Sequence, residues 1–435
     1  MSSGTGAPSR IVIIGGGFAG TTLVRALERA LPAADILLLS ENNYITFHPL
    51  LAEVVGATIM PGHAVAPLRQ MVRHSRVRMV CVQYVDLAKK TVHYQGETAG
   101  LFHYDHLVLA CGSRAKLDLV PGMAKYALPL KTLGDALHLR NCVIERLEQA
   151  ELNEDDAYRR WLTTFIVVGG GFSGVEVAGE ISDFLRASQR YYPHLPQRPR
   201  VILVHGRERL LPEMPASLGD YTAKALARRG VELHLSTRTE SVDAHGIVLK
   251  GGTRLEGGTL ISTMGVLPNQ LLLTLPVEKD QGRLRTLPDM SLPGRPGVWA
   301  LGDCASVINA VDEVASPPTA QFAIAQARQL ADNITRVHHG QATRAFAFRP
   351  RGLMSAVGHN QAVALIHNLA FSGFIPWLLW RGYYLLKMPT FARKARIFLE
   401  WNWAMFFPPD TVHLRFTRTR AHEDSAQHKS VAEDQ

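Results

Sequence analysis

The sequence is poor in cysteine, with four in 435 residues. Cys81, Cys111, Cys142 and Cys304 are widely spaced and form no C-x-x-C pair. This spacing argues against a disulfide framework and gives no zinc-ligand pattern. We therefore expect a protein of a reducing compartment without a metal site. No Ser-His-Asp or Cys-His constellation stands out either.

Long basic and long apolar runs are also missing. The formal charge is +9 at pH 7, yet no run of five basic residues and no nucleic-acid motif accompany it, so we expect no nucleic-acid partner. The opening residues, MSSGTGAPSR, lack a signal-peptide pattern, and we place the protein on the cytoplasmic side. No uninterrupted apolar run reaches the roughly 20 residues that a spanning helix needs.

What the sequence does contain is a glycine-rich stretch near its start, IVIIGGGFAG (11–20). Apolar β-formers run into Gly15, Gly17 and Gly20, and a helical pattern follows, which predicts strand, tight turn and helix. The first glycine permits the turn, the second lets the backbone approach a pyrophosphate, and the third lets helix pack on strand. Glu41 follows the next apolar run, where a carboxylate would bond a ribose hydroxyl. The stretch predicts a dinucleotide site.

A second stretch, FIVVGGGFSGVEVAGEI (165–181), repeats the first position for position, with Gly169, Gly171 and Gly174. Two such units predict two nucleotides in two Rossmann-like, doubly wound α/β domains. At the end of the following strand His205 stands where an acid is expected, and Arg207 and Arg209 lie just beyond. Arginine here can meet a 2′-phosphate, while solvated loop arginines are an equally good interpretation.

The segment GVWALGDCASV (297–307) is an apolar strand that ends in Gly302-Asp303, and a helix that presents Gln321 follows it. We predict that it returns to the first domain, with the second domain inserted. The predicted domains are 1–140 with 290–345, 141–289, a C-terminal segment 346–416, and a disordered tail 417–435.

The C-terminal segment is rich in aromatic residues, and four of the six tryptophans lie between Trp377 and Trp403. We expect two amphipathic helices, in 364–389 and 392–409, that lie in a membrane interface. The cations predicted to meet anionic head groups are Arg381, Lys387, Arg393, Lys394 and Arg396. A dimer core is the alternative for the same apolar stripe, and the two interpretations are compatible.

Over nearly its whole length the chain resembles the type II, non-proton-pumping NADH:quinone dehydrogenases. The resemblance depends on GGGFAG, NNYITFHPLL, YDHLVLACGS, GGGFSGVEVAGE, LGDCA and PPTAQ. It implies FAD in the first domain, a reduced nicotinamide in the second, a membrane quinone as acceptor, a peripheral position on the cytoplasmic face of the cell membrane, and a homodimer.

The resemblance also implies site residues. Those implied for FAD are Gly15, Gly17, Phe18, Ala19, Gly20, Glu41, Asn42, Pro49, Leu50, Gly112, Asp303, Ala320 and Gln321. Those implied for the nicotinamide nucleotide are Gly169, Gly171, Gly174, Glu176 and Gly265. Gln321 and Glu176 are the predicted catalytic residues, with Gln321 as the neutral group that positions the quinone.

Three positions depart from the family pattern. His205 replaces the acid usual for NADH, which leaves the choice between NADH and NADPH open. Ala325 stands where a second glutamine is usual, with Gln326 after it, and the turn after 104–110 reads ACGS where ATGS is commoner.

Two rival functions remain at this point. A sulfide:quinone reductase of the same fold would need a cysteine pair, which Cys111 and Cys304 could supply, although small buried residues are the preferred interpretation. A flavin-bearing redox sensor with little turnover is the other rival. For His48, the histidine nearest the predicted flavin site, a structural role is preferred to proton transfer.

Overall fold

The computed structural model describes residues 8–195 and 199–414. Its helices are α1 (Phe18–Ala30), α2 (Leu51–Val55), α3 (Met123–Tyr126), α4 (Leu133–Leu152), α5 (Asp156–Leu162), α6 (Phe172–Ser188), α7 (Ala216–Arg228), α8 (Ala320–His338), α9 (Phe374–Lys387) and α10 (Phe391–Trp403).

The strands are β1 (Arg10–Ile14), β2 (Asp35–Ser40), β3 (Tyr44–Thr46), β4 (Val65–Pro67), β5 (Arg76–Met79), β6 (Cys81–Asp86), β7 (Thr91–Gln95), β8 (Ala99–His103), β9 (His106–Leu109), β10 (Ser113–Ala115), β11 (Ala127–Pro129), β12 (Thr164–Val168), β13 (Arg200–Val204), β14 (Val231–His234), β15 (Thr239–Asp243), β16 (Gly246–Leu249), β17 (Arg254–Glu256), β18 (Thr259–Ser262), β19 (Val266–Pro268), β20 (Lys279–Asp280), β21 (Arg283–Arg285), β22 (Ser291–Leu292), β23 (Arg295–Ala300), β24 (Ala305–Ser306), β25 (Gly352–Ala356), β26 (Ala362–Ile366) and β27 (Leu369–Gly373).

The first sheet has six strands in the order β22-β23-β9-β1-β2-β5. All pairs are parallel except β22 with β23. The central strand β1 is almost entirely buried, as expected when helices cover both faces of a parallel sheet. Helix α1 packs against α8, so the first glycine loop and the helix bearing Gln321 share one side of the core.

The second sheet has five parallel strands in the order β11-β18-β12-β13-β14. Every residue of its strand β12 is buried, and α6 begins four residues after that strand ends. The second sheet thus repeats the strand, loop and helix of the first. The prediction of two Rossmann-like α/β units is confirmed.

The chain order shows the insertion. Strands of the second sheet come from residues 127–262, whereas the first sheet takes β1, β2, β5 and β9 before them and β22 and β23 after them. Strand β11 lies ahead of the predicted boundary at 141. The predicted domain boundaries stay a prediction.

The C-terminal segment is not helical from residue 364, which corrects the expectation stated above. Strands β25, β26 and β27 form an antiparallel sheet over Gly352–Gly373, and only then do α9 and α10 follow. His367 and Asn368 both adopt positive φ, 47° and 65°, which is the geometry of a tight hairpin turn. The predicted disordered tail, 417–435, lies outside the described residues.

Candidate active site

The first glycine loop has the geometry that its spacing predicts. Gly15 has φ of 117°, and a Cβ there would collide with the Ala110 carbonyl oxygen. A Cβ on Gly20 would collide with the carbonyl oxygen of Gly15. Gly17, by contrast, has no atom within 4 Å of the position of a Cβ. Packing therefore requires glycine at positions 15 and 20, whereas Gly17 leaves room for a ligand against the backbone.

The second loop repeats this division. Gly169 has φ of 119°, and a Cβ there would lie 2.6 Å from Oγ1 of Thr263. A Cβ on Gly174 would collide with the Gly169 carbonyl oxygen, whereas one on Gly171 meets nothing within 4 Å. Both loops thus leave one open face at the middle glycine.

A cavity of about 810 Å³ lies between the two units. It is lined by most of the predicted site residues, namely Gly15, Gly17, Phe18, Ala19, Glu41, Asn42, Pro49, Gly112, Glu176, Gly265, Asp303, Ala320 and Gln321. One cavity therefore joins the first loop to residues that follow the second.

Five predicted residues do not line this cavity. Gly20 packs inside its turn, and Leu50, 1% exposed, belongs to the core. Gly169, Gly171 and Gly174 lie beside it, although Phe172 and Ser173 of the same loop line it.

Asp303 is held in a small polar group. The Ser113 hydroxyl donates a hydrogen bond of 2.7 Å to Asp303 Oδ2 and accepts one of 3.0 Å from Lys131 Nζ. Lys131 Nζ also lies 3.9 Å from Asp303 Oδ2. Sequence reasoning missed Lys131 because the two residues are far apart in the chain. The available signal was the capping box of Thr132 and Asp135, which begins α4 and fixes the backbone beside Lys131.

His48 faces the cavity next to this group. Its ring is exposed to the cavity and surrounded by protein. Removal from bulk water, and secondly the Lys131 ammonium, lower its pKa to about 4. The imidazole is therefore neutral at pH 7, and its structural role stays a prediction.

Gln321 and Gln326, both on α8, have different structural roles. Gln321 donates a 2.8 Å hydrogen bond from Nε2 to the Gly352 carbonyl oxygen and lines the cavity. Gln326 is 1% exposed, and its Oε1 accepts a 2.7 Å bond from the Gly302 amide. The glutamine that follows Ala325 therefore supports the Gly302–Asp303 loop and does not reach the cavity.

Glu176, on α6, is a half-buried carboxyl at the cavity wall. Its Oε1 accepts hydrogen bonds from the Ser355 hydroxyl, 3.3 Å, and the Ala356 amide, 3.4 Å. Burial raises its pKa to about 8 despite these bonds. The group is therefore largely protonated at pH 7.

Behind Glu176 lies a buried charged cluster, Glu53, Glu180 and Arg381. Trp401 Nε1 donates to Glu53 Oε2 at 2.8 Å, and the Thr58 hydroxyl donates to Glu180 Oε2 at 3.2 Å. Burial raises the pKa of Glu53 to about 7 and that of Glu180 well above its usual range. One buried cation faces two carboxyls, so the cluster keeps a proton near neutral pH.

Arg381 and Trp401 correct the sequence interpretation of the C-terminal segment. Arg381 was expected on lipid head groups, but it is 7% exposed and its guanidinium lies 3.8 Å from the centroid of the Trp377 ring. Trp401, 3% exposed, faces the same cluster. Arg393 donates to the Gly62 carbonyl oxygen at 2.6 Å. The inner faces of α9 and α10 are therefore part of the protein core.

The same segment supplies cavity residues that sequence reasoning missed. Tyr383, Tyr384 and Lys387 of α9 line the cavity, as do Arg328 and Arg351. Burial, and then the charges of Arg328 and Arg351, lower the pKa of Lys387. No motif marks these residues, because they reach the cavity through tertiary packing.

Cys111 and Cys304 are neighbours, and each thiol shifts the pKa of the other. Cys304 is fully buried, and its thiol contacts the carbonyl oxygens of Leu109 and Leu301 at 3.2 Å. The neighbouring Cys304 thiol, and then burial, raise the pKa of Cys111 well above its usual value, whereas the Cys111 thiol lowers the pKa of Cys304. Cys304 does not line the cavity, so Cys111 is the one thiol of this pair that reaches it.

The chain is similar to known proteins over most of its length. Residues 9–327 match the family model described as pyridine nucleotide-disulphide oxidoreductase. The type II NADH:quinone oxidoreductase Ndh of Mycobacterium tuberculosis is 34% identical over 413 residues, which cover 90% of this chain and 87% of that protein. An internal alternative NAD(P)H-ubiquinone oxidoreductase A1 of Arabidopsis thaliana is 26% identical and covers 94% of this chain and 86% of that protein.

Among solved structures, that of NDH2 from Plasmodium falciparum in complex with NADH matches with a TM-score of 0.88. The match covers 93% of this chain and 99% of that chain at 19% sequence identity. At this identity the match shows the fold.

Proposed function

Because the chain belongs to the pyridine nucleotide-disulphide oxidoreductase family, and within it to the type II NADH:quinone oxidoreductases, we infer that it is a flavoenzyme that oxidises NADH and reduces a quinone. The observation that carries this conclusion is that the first glycine loop and the residues that follow the second glycine loop line the same cavity. A donor and an acceptor can therefore meet one cofactor.

The residues present fit FAD. The open face of Gly17 lies at the start of α1, where unpaired N–H groups favour a pyrophosphate. From there the cavity includes Glu41, which suits a ribose hydroxyl, and Asp303, which suits the hydroxyls of a polyol chain. When bound, FAD supplies the two-electron chemistry that joins a hydride donor to a quinone.

The polar group around Asp303 supports that role. Lys131 holds the Ser113 hydroxyl, which then donates to Asp303, so the carboxylate keeps one orientation. Gln326 fixes the Gly302 amide and so the loop that carries Asp303. We expect these residues to bind and position the cofactor and to take no part in proton transfer.

The second loop is the NADH site in this proposal. Gly171 offers the open face for its pyrophosphate, while Glu176 and Gly265 line the cavity where the reactive ring would enter. The loop lies beside the cavity, so the adenosine half is expected outside it and the nicotinamide half within.

Glu176 is proposed as the proton source. The overall reaction, NADH + H⁺ + quinone → NAD⁺ + quinol, consumes one proton beyond the hydride. Glu176 holds a proton at pH 7 at the cavity wall, with Glu180 one helical turn behind it. Gln321 uses one N–H of its Nε2 on the Gly352 carbonyl oxygen, and its second N–H would donate to a quinone carbonyl oxygen and orient the quinone.

The outer face of α9 and α10 is proposed to bind a membrane surface. No helix in residues 8–195 and 199–414 has the length and apolar character to cross a bilayer. Yet Ile375, Leu386 and Phe391 are 70%, 74% and 84% exposed. The nearby cations Lys394 and Arg396 suit anionic head groups. A peripheral position on the cytoplasmic face would bring the cavity to a lipid-soluble quinone, and a homodimer is compatible with it.

The reaction is tested by anaerobic reduction of the FAD-loaded protein in detergent, with flavin absorbance as the readout. NADH should bleach the flavin quickly, and a quinone added afterwards should restore the absorbance with two electrons per flavin. Absence of bleaching by NADH would contradict the proposed donor. Bleaching without recovery would instead favour the redox sensor with little turnover.

Membrane contact is tested by sedimentation with vesicles that contain anionic phospholipid. The variant Leu386→Glu/Phe391→Glu should stay in the supernatant, because each carboxylate opposes insertion of the outer face. Leu152→Glu is the matched control, since Leu152 is 86% exposed on α4. Vesicle binding unchanged by the double substitution, with a dimer converted to monomer, would assign this face to a second copy instead.

A further inference from the structure

The two glycine loops can be compared residue by residue, because their neighbouring strands pair in the same register. Strand β1 places Ile14 opposite Leu39, and β12 places Val168 opposite Val204. The Gly15 amide donates to the Leu39 carbonyl at 2.8 Å, and the Gly169 amide donates to the Val204 carbonyl at 2.9 Å. Leu39 and Val204 are therefore equivalent. The residues that follow them pair as Ser40 with His205, Glu41 with Gly206, and Asn42 with Arg207.

Ser40 and His205 share one packing role. A Cβ on Gly16 would lie 2.6 Å from Ser40 Oγ, and one on Gly170 would lie 2.6 Å from the His205 ring. His205 Nδ1 also accepts a 3.0 Å hydrogen bond from the Gly170 amide. Burial and the Arg207 charge lower the pKa of His205, in agreement with a neutral acceptor. His205 therefore supports the loop, and the counterpart of the ribose-binding Glu41 is Gly206.

The second loop thus lacks a carboxylate where the first has one. Glu41 lines the cavity, whereas Gly206 is exposed and has no side chain. A carboxylate at this place bonds the 2′-hydroxyl of a ribose and repels a 2′-phosphate. Its replacement by glycine removes the repulsion and opens space beside the ribose.

Two arginines flank Gly206. Arg207 follows it directly, and Arg238 places its Cγ 3.3 Å from the position of a Cβ on Gly206. The two chain segments are joined, since Ser236 donates to the Arg207 carbonyl and Thr237 to the His205 carbonyl, each at 2.9 Å.

The charges of these two arginines are available to a ligand. Both side chains are exposed, and within residues 8–195 and 199–414 neither makes an ion pair. Arg209, two residues further on, is instead paired with Glu208 at 2.8 Å. Near the end of β13, Arg207 and Arg238 therefore have no carboxylate partner in the described part of the chain, whereas Arg209 has one.

We propose that Arg207 and Arg238 form a subsite for the 2′-phosphate of NADPH, so that the protein accepts NADPH beside NADH. Guanidinium groups suit a phosphate dianion because they offer several N–H donors in a fixed plane. The inference rests on the proposed function, since it takes the Gly169–Gly174 loop as the coenzyme site.

The first test measures binding and needs no turnover. Calorimetry on the FAD-loaded protein compares adenosine 2′,5′-bisphosphate with adenosine 5′-monophosphate. We expect the bisphosphate to bind at least about tenfold more tightly, which corresponds to about 1.4 kcal/mol. The preference should shrink at high salt, because exposed charges are screened. Equal affinities at low salt would overturn the proposal.

The second test measures flavin reduction by both coenzymes. Arg207→Ala and Arg238→Ala should each lower the ratio of kcat/KM for NADPH to that for NADH about tenfold, and Gly206→Glu should lower it as well. Arg209→Ala is the matched control and should leave the ratio unchanged, because Arg209 is already paired. An unchanged ratio in both arginine variants, with normal FAD content, would reject the subsite.

The two proposals fail in different ways. If NADH reduces the flavin but the bisphosphate shows no preference, the 2′-phosphate subsite is wrong and the proposed function stands. If the bisphosphate binds preferentially but neither coenzyme reduces the flavin, the nucleotide site is correct and the dehydrogenase function is wrong.

Discussion

The two glycine loops have one backbone and different neighbours. In each, a first glycine at φ near 117–119° makes the turn, a third packs against the first, and the second leaves an open face. The surrounding side chains differ at equivalent places. Glu41 corresponds to Gly206, and Thr22 of α1 corresponds to Glu176 of α6. The backbone therefore sets where a nucleotide lies, whereas a few adjacent side chains set which nucleotide binds and what reaction follows.

The strongest test of this comparison places valine at the middle glycine of each loop. Gly171→Val should lower NADH-dependent flavin reduction more than about 100-fold while FAD stays bound, because the side chain would take the place of the pyrophosphate. Gly17→Val should abolish FAD binding. Flavin absorbance of the purified variants and stopped-flow reduction check both results. Loss of FAD from Gly171→Val would contradict the assignment of two separate sites.

The difference at the strand ends is tested next. Glu41→Gln should weaken FAD binding about tenfold or more, since a hydrogen bond to a charged group contributes about 1.5–3 kcal/mol. Fluorescence titration of the apoprotein with FAD measures the affinity. Glu208→Gln removes an acid near the second loop and should leave FAD affinity as it is. A similar loss in both variants would show a general charge effect.

The side-chain hydrogen bonds that hold the loops also differ between the two α/β units, and a stability measurement tests the bond made by Gln326. Gln326→Leu removes the acceptor of the buried Gly302 amide, and we expect a loss of about 1–3 kcal/mol in the free energy of unfolding. The second unit has a different support, since the Thr263 hydroxyl donates to the carbonyl oxygens of Val168 and Gly169. Denaturant unfolding of the FAD-loaded protein is the measurement. Gln321→Ala, at the cavity wall, should change stability much less, and an equal loss would count against this account.

A last comparison concerns the pH dependence of stability. Folding raises the pKa of Glu176 from about 4.5, its ordinary value, to about 8. Between these values the folded protein binds more protons than the unfolded chain, so this group lowers the free energy of unfolding as pH rises, and the loss levels off above about pH 8. Glu176→Gln should flatten that part of the profile, in a series of melting curves from pH 5 to 9. Thr22→Val, at the equivalent position, should not.

Much of the nucleotide-binding architecture could be predicted from local patterns. The glycine spacing, the strand before it and the helix after it lie within 20 residues, and their requirements are local sterics. The roles of Gly15, Gly17 and Gly20 were therefore readable, and the structure repeats them at the second loop. The choice of Gly206 over His205 as the counterpart of Glu41 was not readable, because it depends on strand register.

The C-terminal layer shows why the rest could not be predicted. The run 364–380 is mostly apolar, and such a run does not distinguish a buried strand from a helix. Asn368 was the one local sign of a hairpin. The burial of Arg381 against Glu53 and Glu180 joins elements about 200 to 330 residues apart, which no spacing reports. Lys131 with Asp303 is another such pair.

The wall that α9 supplies to the cavity has a consequence for protein engineering. Membrane-surface enzymes are commonly made soluble by removing the segment that binds the membrane. Here Tyr383, Tyr384 and Lys387 line the cavity, and Trp401 donates to Glu53 in the core, so a truncated chain would lose part of the cavity wall together with the proposed membrane-binding face. Resurfacing is the better strategy: replacing only outward residues, such as Leu386 and Phe391, should yield a detergent-free enzyme suited to inhibitor screening.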